Sequence, residues 1–317
     1  MELRPLGKSG LSTPRLVLGG NVFGFTVSGE EAFALLDRFV AAGGTMIDTA
    51  DVYSAWAPGN VGGESETLIG EWLKRRGRRD DVLIATKVGF EEGLAAGTIE
   101  RGVEASLRRL QTDYVDLYYS HKDDPETPFE ETLGAFDRLV RSGKVRAIGA
   151  SQISAERLDS AMKASSANGI ASYSVLQTWY NLVDRPKLEG ALSETAQAHG
   201  LGLLAFYGLA NGFLTGKYRS EKDLGKSVRG DRVAEYLRGN GPRVLAALDE
   251  IATETGSTPA QIALAWISSK PGVTAPIASA TSVAQLEELL GSLELELTFE
   301  QMERLDAASG DADKEIA

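Results

Sequence analysis

The sequence predicts an α/β protein closed as a (β/α)8 barrel of the TIM type, with an N-terminal β-hairpin and extra C-terminal helices. Two observations carry that prediction. First, short apolar runs alternate with helical segments eight times, and the runs are apolar throughout, as strands of a parallel sheet covered by helices are. Second, three successive runs end in side chains able to do chemistry. Met46-Ile47 leads into Asp48, with Tyr53 five residues on; Val82-Leu83-Ile84-Ala85-Thr86 ends at Lys87; Val115 to Ser120 ends at His121. On neighbouring parallel strands these four side chains converge on the barrel's C-terminal mouth, where barrel enzymes act.

Taken in order, the opening residues read as a hairpin turning at Gly7 to Gly10. Arg15 to Leu18 is the first barrel strand and ends at Gly19-Gly20-Asn21, where glycine permits close approach to the backbone. Ser28 with Glu31 reads as a capping box, and Phe33, Leu36 and Val40 fall at helical spacing as far as Gly43-Gly44. Met46 to Ala50 is the second strand. Glu64 to Arg76 is helical, with Leu68, Ile69, Trp72 and Leu73 on one face. The third strand ends at Lys87. Ile99, Val103, Leu107 and Leu110 mark the next helix, and the fourth strand ends at His121.

Thr127-Pro128-Phe129-Glu130 reads as a helix start. Val145 to Gly149 is the fifth strand, followed by a helix from about Ser154. Val175 to Tyr180 is the sixth strand, followed by a helix from Pro186, and Leu201 to Tyr207 is the seventh. The stretch from Gly208 to Asn240 is glycine-rich and without clear periodicity. Its length marks it as functional or mobile. Thr258-Pro259-Ala260-Gln261 opens a helix, Val273 to Ala278 is the eighth strand, and Ser282–Leu290 and Thr298–Ala308 close the chain. No repeat or low-complexity segment divides it, so residues 1–317 read as one domain. The run Lys74-Arg75-Arg76-Gly77-Arg78-Arg79 reads as a solvated helix end away from the mouth.

Composition excludes several classes. The chain has no cysteine, hence no thiolate nucleophile and no zinc–sulfur site. It has two histidines, His121 and His199, too few for a His-rich metal site, so no metal is expected. A formal net charge of −12 argues against nucleic acid as a partner. No run reaches the ~18 apolar residues of a membrane span, and the N-terminus lacks the apolar core of a signal peptide. The expectation is a cytoplasmic enzyme without a membrane partner.

The four convergent residues suit one kind of chemistry. A phenol with an ordinary pKa near ~10 is a reluctant acid. A lysine ammonium beside it stabilises phenolate, a carboxylate holds the lysine, and an imidazole orients a carbonyl or relays a proton. The set fits proton transfer at the oxygen of a carbonyl–alcohol pair. It contains no nucleophile–base pair and no metal site, so hydride from a bound nicotinamide is its natural complement.

Asp48-Thr49-Ala50-Asp51-Val52-Tyr53, Thr86-Lys87-Val88-Gly89 and Tyr119-Ser120-His121 resemble the signatures of the aldo-keto reductase superfamily. Gly149-Ala150-Ser151, Gln177-Thr178-Trp179-Tyr180-Asn181-Leu182 and Gly212-Phe213-Leu214-Thr215-Gly216-Lys217-Tyr218 are similar too. They stand in the family's order from about residue 3 to 309. The resemblance implies NADPH-dependent reduction of a small-molecule carbonyl, with Tyr53 as general acid supported by Asp48, Lys87 and His121. It places Gly20, Asn21 and Asp48 beside the cofactor, and Ser151, Gln152 and Gln177 at the nicotinamide carboxamide. Tyr207 matches the stacking ring. Gly208, Leu209, Asn211, Leu214 and Lys217 match the segment over the pyrophosphate; Ser279, Thr281, Gln285 and Glu288 match the adenosine end.

Three positions depart from the pattern. Gln152 stands where asparagine is usual, Thr281 where many NADPH-binding members carry arginine, and Leu289 where asparagine commonly meets adenine. NADH therefore stays open beside NADPH. Phe23, Trp56 and Phe90, in loops after strands, are expected to line the substrate pocket with Tyr53 and His121. The reverse alcohol or sugar oxidation, a nicotinamide-binding regulatory subunit, and a metal hydrolase built on His121, Asp123 and Asp124 are the competing readings.

Overall fold

The computed structural model describes residues 2–226 and 230–310, with backbone alone at 230 and 231. The expected hairpin forms from β1 (Arg4–Pro5) and β2 (Ser12–Thr13), paired antiparallel. The barrel strands are β3 (Val17–Gly19), β4 (Met46–Asp48), β5 (Leu83–Val88) and β6 (Val115–Ser120), then β7 (Val145–Ser151), β8 (Val175–Trp179), β9 (Gly202–Phe206) and β10 (Val273–Ala278). They are parallel in chain order, and β10 closes on β3. The helices between them are α1 (Gly29–Ala41), α2 (Glu64–Arg76), α3 (Ala96–Leu110), α4 (Phe129–Arg141), α5 (Ala155–Asn168) and α6 (Ala191–His199). Two helices, α7 (Gly241–Thr255) and α8 (Pro259–Ser269), separate β9 from β10, and α9 (Val283–Gly291) and α10 (Phe299–Ser309) follow it.

Apolar side chains fill two layers. Val17, Met46, Ala85, Leu117, Tyr119, Val175 and Leu204 pack inside the barrel; Leu6 and Leu11 of the hairpin plug its floor. The hairpin sits that close because residue 7 is glycine. Its φ is +57°, and a Cβ there would lie 2.2 Å from the Ser174 carbonyl oxygen. A larger layer between strands and helices includes Ile84, Val103, Tyr118, Phe136 and Trp266.

Local details differ from the sequence reading where side chains found other partners. Ser28 caps α1 in extended backbone but makes no side-chain hydrogen bond, so that capping box does not form. Pro128, rather than Thr127, is the residue before α4; the Thr127 hydroxyl donates to Asp124 at 2.7 Å. The Thr258–Gln261 and Thr298–Gln301 boxes are complete.

The basic run after α2 is not simply solvated. Arg79 reaches the Asp116 carboxylate at 2.7 Å, and its side chain is 17% exposed. The stretch 208–240 is built of short 3₁₀ turns at Ala210–Thr215, Glu221–Lys226 and Gly230–Val233, while residues 227–229 within it lie outside the described residues. An i→i+3 turn has no 3.6-residue stripe to read.

Candidate active site

β4, β5 and β6 are hydrogen-bonded neighbours in one register, with Asp48 opposite Ala85 and Lys87 opposite Tyr119. Their C-terminal ends therefore bring the acid, the amine and the imidazole to one side of the mouth. Tyr53 joins them from the turn after β4. Lys87 Nζ donates to Asp48 Oδ2 at 2.7 Å, to the Thr49 carbonyl at 2.7 Å and to the Tyr53 hydroxyl at 2.9 Å. All three ammonium donors are thereby used. The other Asp48 oxygen accepts from Gln177 Nε2 at 2.7 Å. Lysine and aspartate are both buried, so each needs the other.

Electrostatics separate the roles. Burial, followed by the Asp48 charge, pushes the Tyr53 phenol well above its ordinary range. The expected lowering of the phenol is thus overturned: desolvation and the Asp48 charge raise it, and the phenol is firmly protonated. Burial also lowers Lys87, opposed by Asp48. His121 is driven down to about 2 by burial and then by Lys87, so its imidazole is neutral. Its Nδ1 is buried without a hydrogen-bond partner.

Around the tetrad the aromatic groups sort themselves. Trp56 stands edge-on to Tyr53, with ring centroids 5.9 Å apart, and Phe90 tilts onto His121 at 4.8 Å. Both are substantially exposed. Phe23 is not with them: it is wholly buried, part of the strand–helix core. Phe25 takes the position beside Trp56, with centroids 6.1 Å apart.

Several residues matched to a cofactor stand at strand ends of the same mouth, whereas the Leu214 side chain is wholly buried in the strand–helix core. Ser151 and Gln177 are register partners on β7 and β8. The Gly20 amide donates to the Asp48 carbonyl at 2.7 Å, and Ser279 Oγ donates to Asn21 Oδ1 at 2.7 Å. Gln152 Nε2 reaches the His121 carbonyl at 3.1 Å. Tyr207 leans on Trp179 with centroids 4.4 Å apart. In the loop matched to the adenosine, the Thr281 amide and hydroxyl both donate to Gln285 Oε1 at 2.9 Å, so Gln285 braces the loop rather than capping α9 with its side chain. The Glu288 carbonyl accepts from Gln261. Leu289 packs in the core.

The turn after β8 is joined to the end of β9 and to Tyr236 by a hub that the sequence reading missed. Asp184 Oδ2 accepts from Trp179 Nε1 at 2.8 Å, from Asn181 Nδ2 at 2.9 Å and from the Tyr236 hydroxyl at 2.8 Å. Asn181 Nδ2 also donates to the Tyr207 carbonyl at 3.0 Å. Lys217 Nζ lies over the Tyr218 ring and near Gly212. Tyr207, Ala210 and Asn211 hold positive φ without being glycine, as do Ser54 and Gln152 across the mouth. Such strain concentrates at ligand-holding sites. Asn211 Oδ1 is buried and unsatisfied, so the segment presents a polar atom with unmet demand beside strained backbone. Ser151, Gln152, Gln177 and Ser279 bring to this mouth amide and hydroxyl groups of the kind that could hold a nicotinamide dinucleotide.

Asp123 is bonded to Arg157 at 2.8 Å, and Asp124 accepts from the Leu94 and Glu126 amides. Among the described residues no group of three or more His, Cys, Asp or Glu side chains could hold a metal. No described helix is long and apolar enough to cross a membrane.

A parallel barrel whose mouth buries an acid–lysine pair against a phenol defines the aldo-keto reductase kind of oxidoreductase. The family model for the aldo/keto reductase family matches residues 15–309, and the chain belongs to that family. It is 35% identical over 287 residues to the aldo-keto reductase str7 of Strobilurus tenacellus, covering 88% of this chain and 81% of that one. It is 32% identical over 308 residues to a probable voltage-gated potassium channel subunit beta of Arabidopsis thaliana, covering 93% and 92%. It is 30% identical over 300 residues to the aldo-keto reductase yakc [NADP(+)] of Schizosaccharomyces pombe, covering 90% and 85%.

Proposed function

We propose that the protein reduces an aldehyde or ketone to an alcohol with NADPH, using Tyr53 as the general acid. One observation carries the reading: the Tyr53 hydroxyl lies 2.9 Å from an ammonium that is itself locked to Asp48. A nicotinamide held at this mouth would supply the hydride. The residues of this chain manage the proton. Tyr53 starts protonated and gives its proton to the carbonyl oxygen as negative charge builds there. Lys87 then meets the phenolate at a distance already set, so little reorganisation is needed. Neutral His121 would hydrogen-bond the carbonyl and fix its direction. Trp56, Phe90 and Phe25 give the pocket apolar walls, which favours carbonyl compounds with bulky or cyclic substituents.

Purified protein incubated with NADPH and a panel of aldehydes and ketones should consume the nicotinamide. Tight NADPH binding with no turnover on any carbonyl would favour instead a nicotinamide-binding regulatory subunit, the reading that the plant channel-subunit relative supports.

Cofactor preference rests on the loop around Thr281. Ser279 and Thr281 are committed to Asn21 and Gln285, so holding a 2′-phosphate here without arginine would require Gln285 and Asn21 to release them, beside the amides opening α9. Thr281→Arg should tighten NADPH about tenfold relative to NADH, the worth of one charge-assisted contact. Titrations following tryptophan fluorescence would measure it, and an unchanged ratio would place the phosphate elsewhere.

A further inference from the structure

Behind the tetrad lies a second, buried set of charges. On α2 the Glu66 carboxylate is fully buried; it accepts from Thr86 at 2.5 Å and from Arg109 Nε, on α3, at 2.7 Å. Gly63, at φ +86°, makes room for that arginine, since a Cβ there would lie 2.4 Å from Arg109 Nε. Asp51, in the turn after β4, carries the third acid of this region. It sits two residues before Tyr53, and its amide donates to the Lys87 carbonyl at 3.3 Å.

Charge does not balance. Asp48 is paired with Lys87 and Glu66 with Arg109. Asp51 is the acid left over, and its Oδ1 is shut from solvent without a hydrogen bond. The charges that act on Asp51 are those of Glu66 from α2, Arg109 from α3 and Lys87 from β5, and Asp51 acts in turn on the Tyr118 phenol of β6. Burial and then the Glu66 charge push Asp51 up to about 7, while Arg109, the Val52 amide and Lys87 pull the other way. An ionised Asp51 raises Lys87.

We propose that Asp51 is a positioning residue that acts through Lys87, its proton setting whether one unpaired negative charge stands behind the ammonium that serves Tyr53. This rests on the carbonyl-reductase reading above. With Asp51 protonated, Lys87 shares its charge between Asp48 and the developing phenolate alone. With Asp51 ionised, the ammonium is partly neutralised and Tyr53 becomes a poorer acid.

The test compares pH profiles of kcat/KM for NADPH-driven reduction of an aromatic aldehyde by wild type and Asp51→Asn. Wild type should fall about three- to tenfold between about pH 6 and about pH 8, while the asparagine variant should hold its acid-limb value across that interval. Superimposable profiles overturn the proposal.

A second measurement needs no turnover, so it separates this idea from the activity itself. The carboxyl of Asp51 is raised above its unfolded value of 3.8 to about 7. The folded state therefore binds the extra proton, and stability is lost as pH rises from the unfolded value through the folded one. The urea midpoint of Asp51→Asn should gain on wild type across that window. In a Lys87→Met background the window should move to higher pH, because the charge that favoured the carboxylate is gone. A gap independent of pH, or a window that Lys87→Met leaves in place, refutes the coupling.

Discussion

Tyr53→Phe should lower kcat about 10²- to 10⁴-fold, the usual worth of a positioned general acid, and leave the NADPH dissociation constant within about threefold. The substitution removes one oxygen. It keeps the ring that stands edge-on to Trp56 and to His121, so the walls of the pocket survive. What disappears is the proton donor 2.9 Å from Lys87 Nζ. Lys87→Met tests the same idea from the other side: the phenol remains, but a buried Asp48 loses its cation and the nascent phenolate its partner. That variant should be equally slow and also less stable, because an unpaired buried carboxylate is costly. Steady-state turnover and fluorescence titration separate the two effects. Near-wild-type kcat in Tyr53→Phe would end the acid assignment. Loss of cofactor binding in step with turnover would make Tyr53 a binding residue instead.

The site could be anticipated because barrel geometry converts sequence order into spatial order. Three apolar runs ending in Asp48, Lys87 and His121 had to become neighbours once the strands were parallel and consecutive, and the register confirms it. Loops offered no such rule. Phe23 and Phe25 both lie in the connection between β3 and α1. A tight turn, with the Gly24 amide on the Val27 carbonyl at 2.8 Å, sends Phe23 into the core. Nothing in the spacing of the two rings decides which one turns inward.

Asp184 stayed hidden for a similar reason: its partners Trp179, Asn181 and Tyr236 span more than fifty residues, and Tyr236 comes from a stretch without helical periodicity. The downward expectation for the Tyr53 phenol failed differently. A list of neighbours gives the sign of each Coulomb interaction but not the desolvation that outweighs it, and burial exists only once the chain is folded.

The second large effect concerns the opposite end of the barrel, where Asp116→Ala should destabilise the fold by roughly 3–5 kcal/mol without touching the chemistry. Asp116 lies near the N-terminal end of β6 and is 1% exposed. One oxygen accepts from Arg79 at 2.7 Å and from the Ile84 amide at 2.8 Å, and the other from Arg146 at 2.7 Å. A single carboxylate thus ties β5, β6 and β7 together. Arg79 is committed in turn to the Val82 carbonyl at 2.7 Å and lies over the Tyr114 ring, so it cannot simply swing into water when its partner goes. Alanine leaves the Arg79 charge without its carboxylate, though still bonded to the Val82 carbonyl, and leaves the Ile84 amide without that acceptor.

Asp116→Asn keeps one acceptor and should cost distinctly less, which separates the hydrogen bonds from the charge. Denaturation midpoints measure the loss, and kcat/KM at a temperature where both proteins are folded should be unchanged, since strand N-terminal ends serve stability and C-terminal ends serve catalysis. A cost below about 1 kcal/mol would show that Arg79 and Arg146 find water instead. The basic run after α2 would then be the solvated helix end that its composition suggests, and the floor of the barrel would rest on its apolar plug alone.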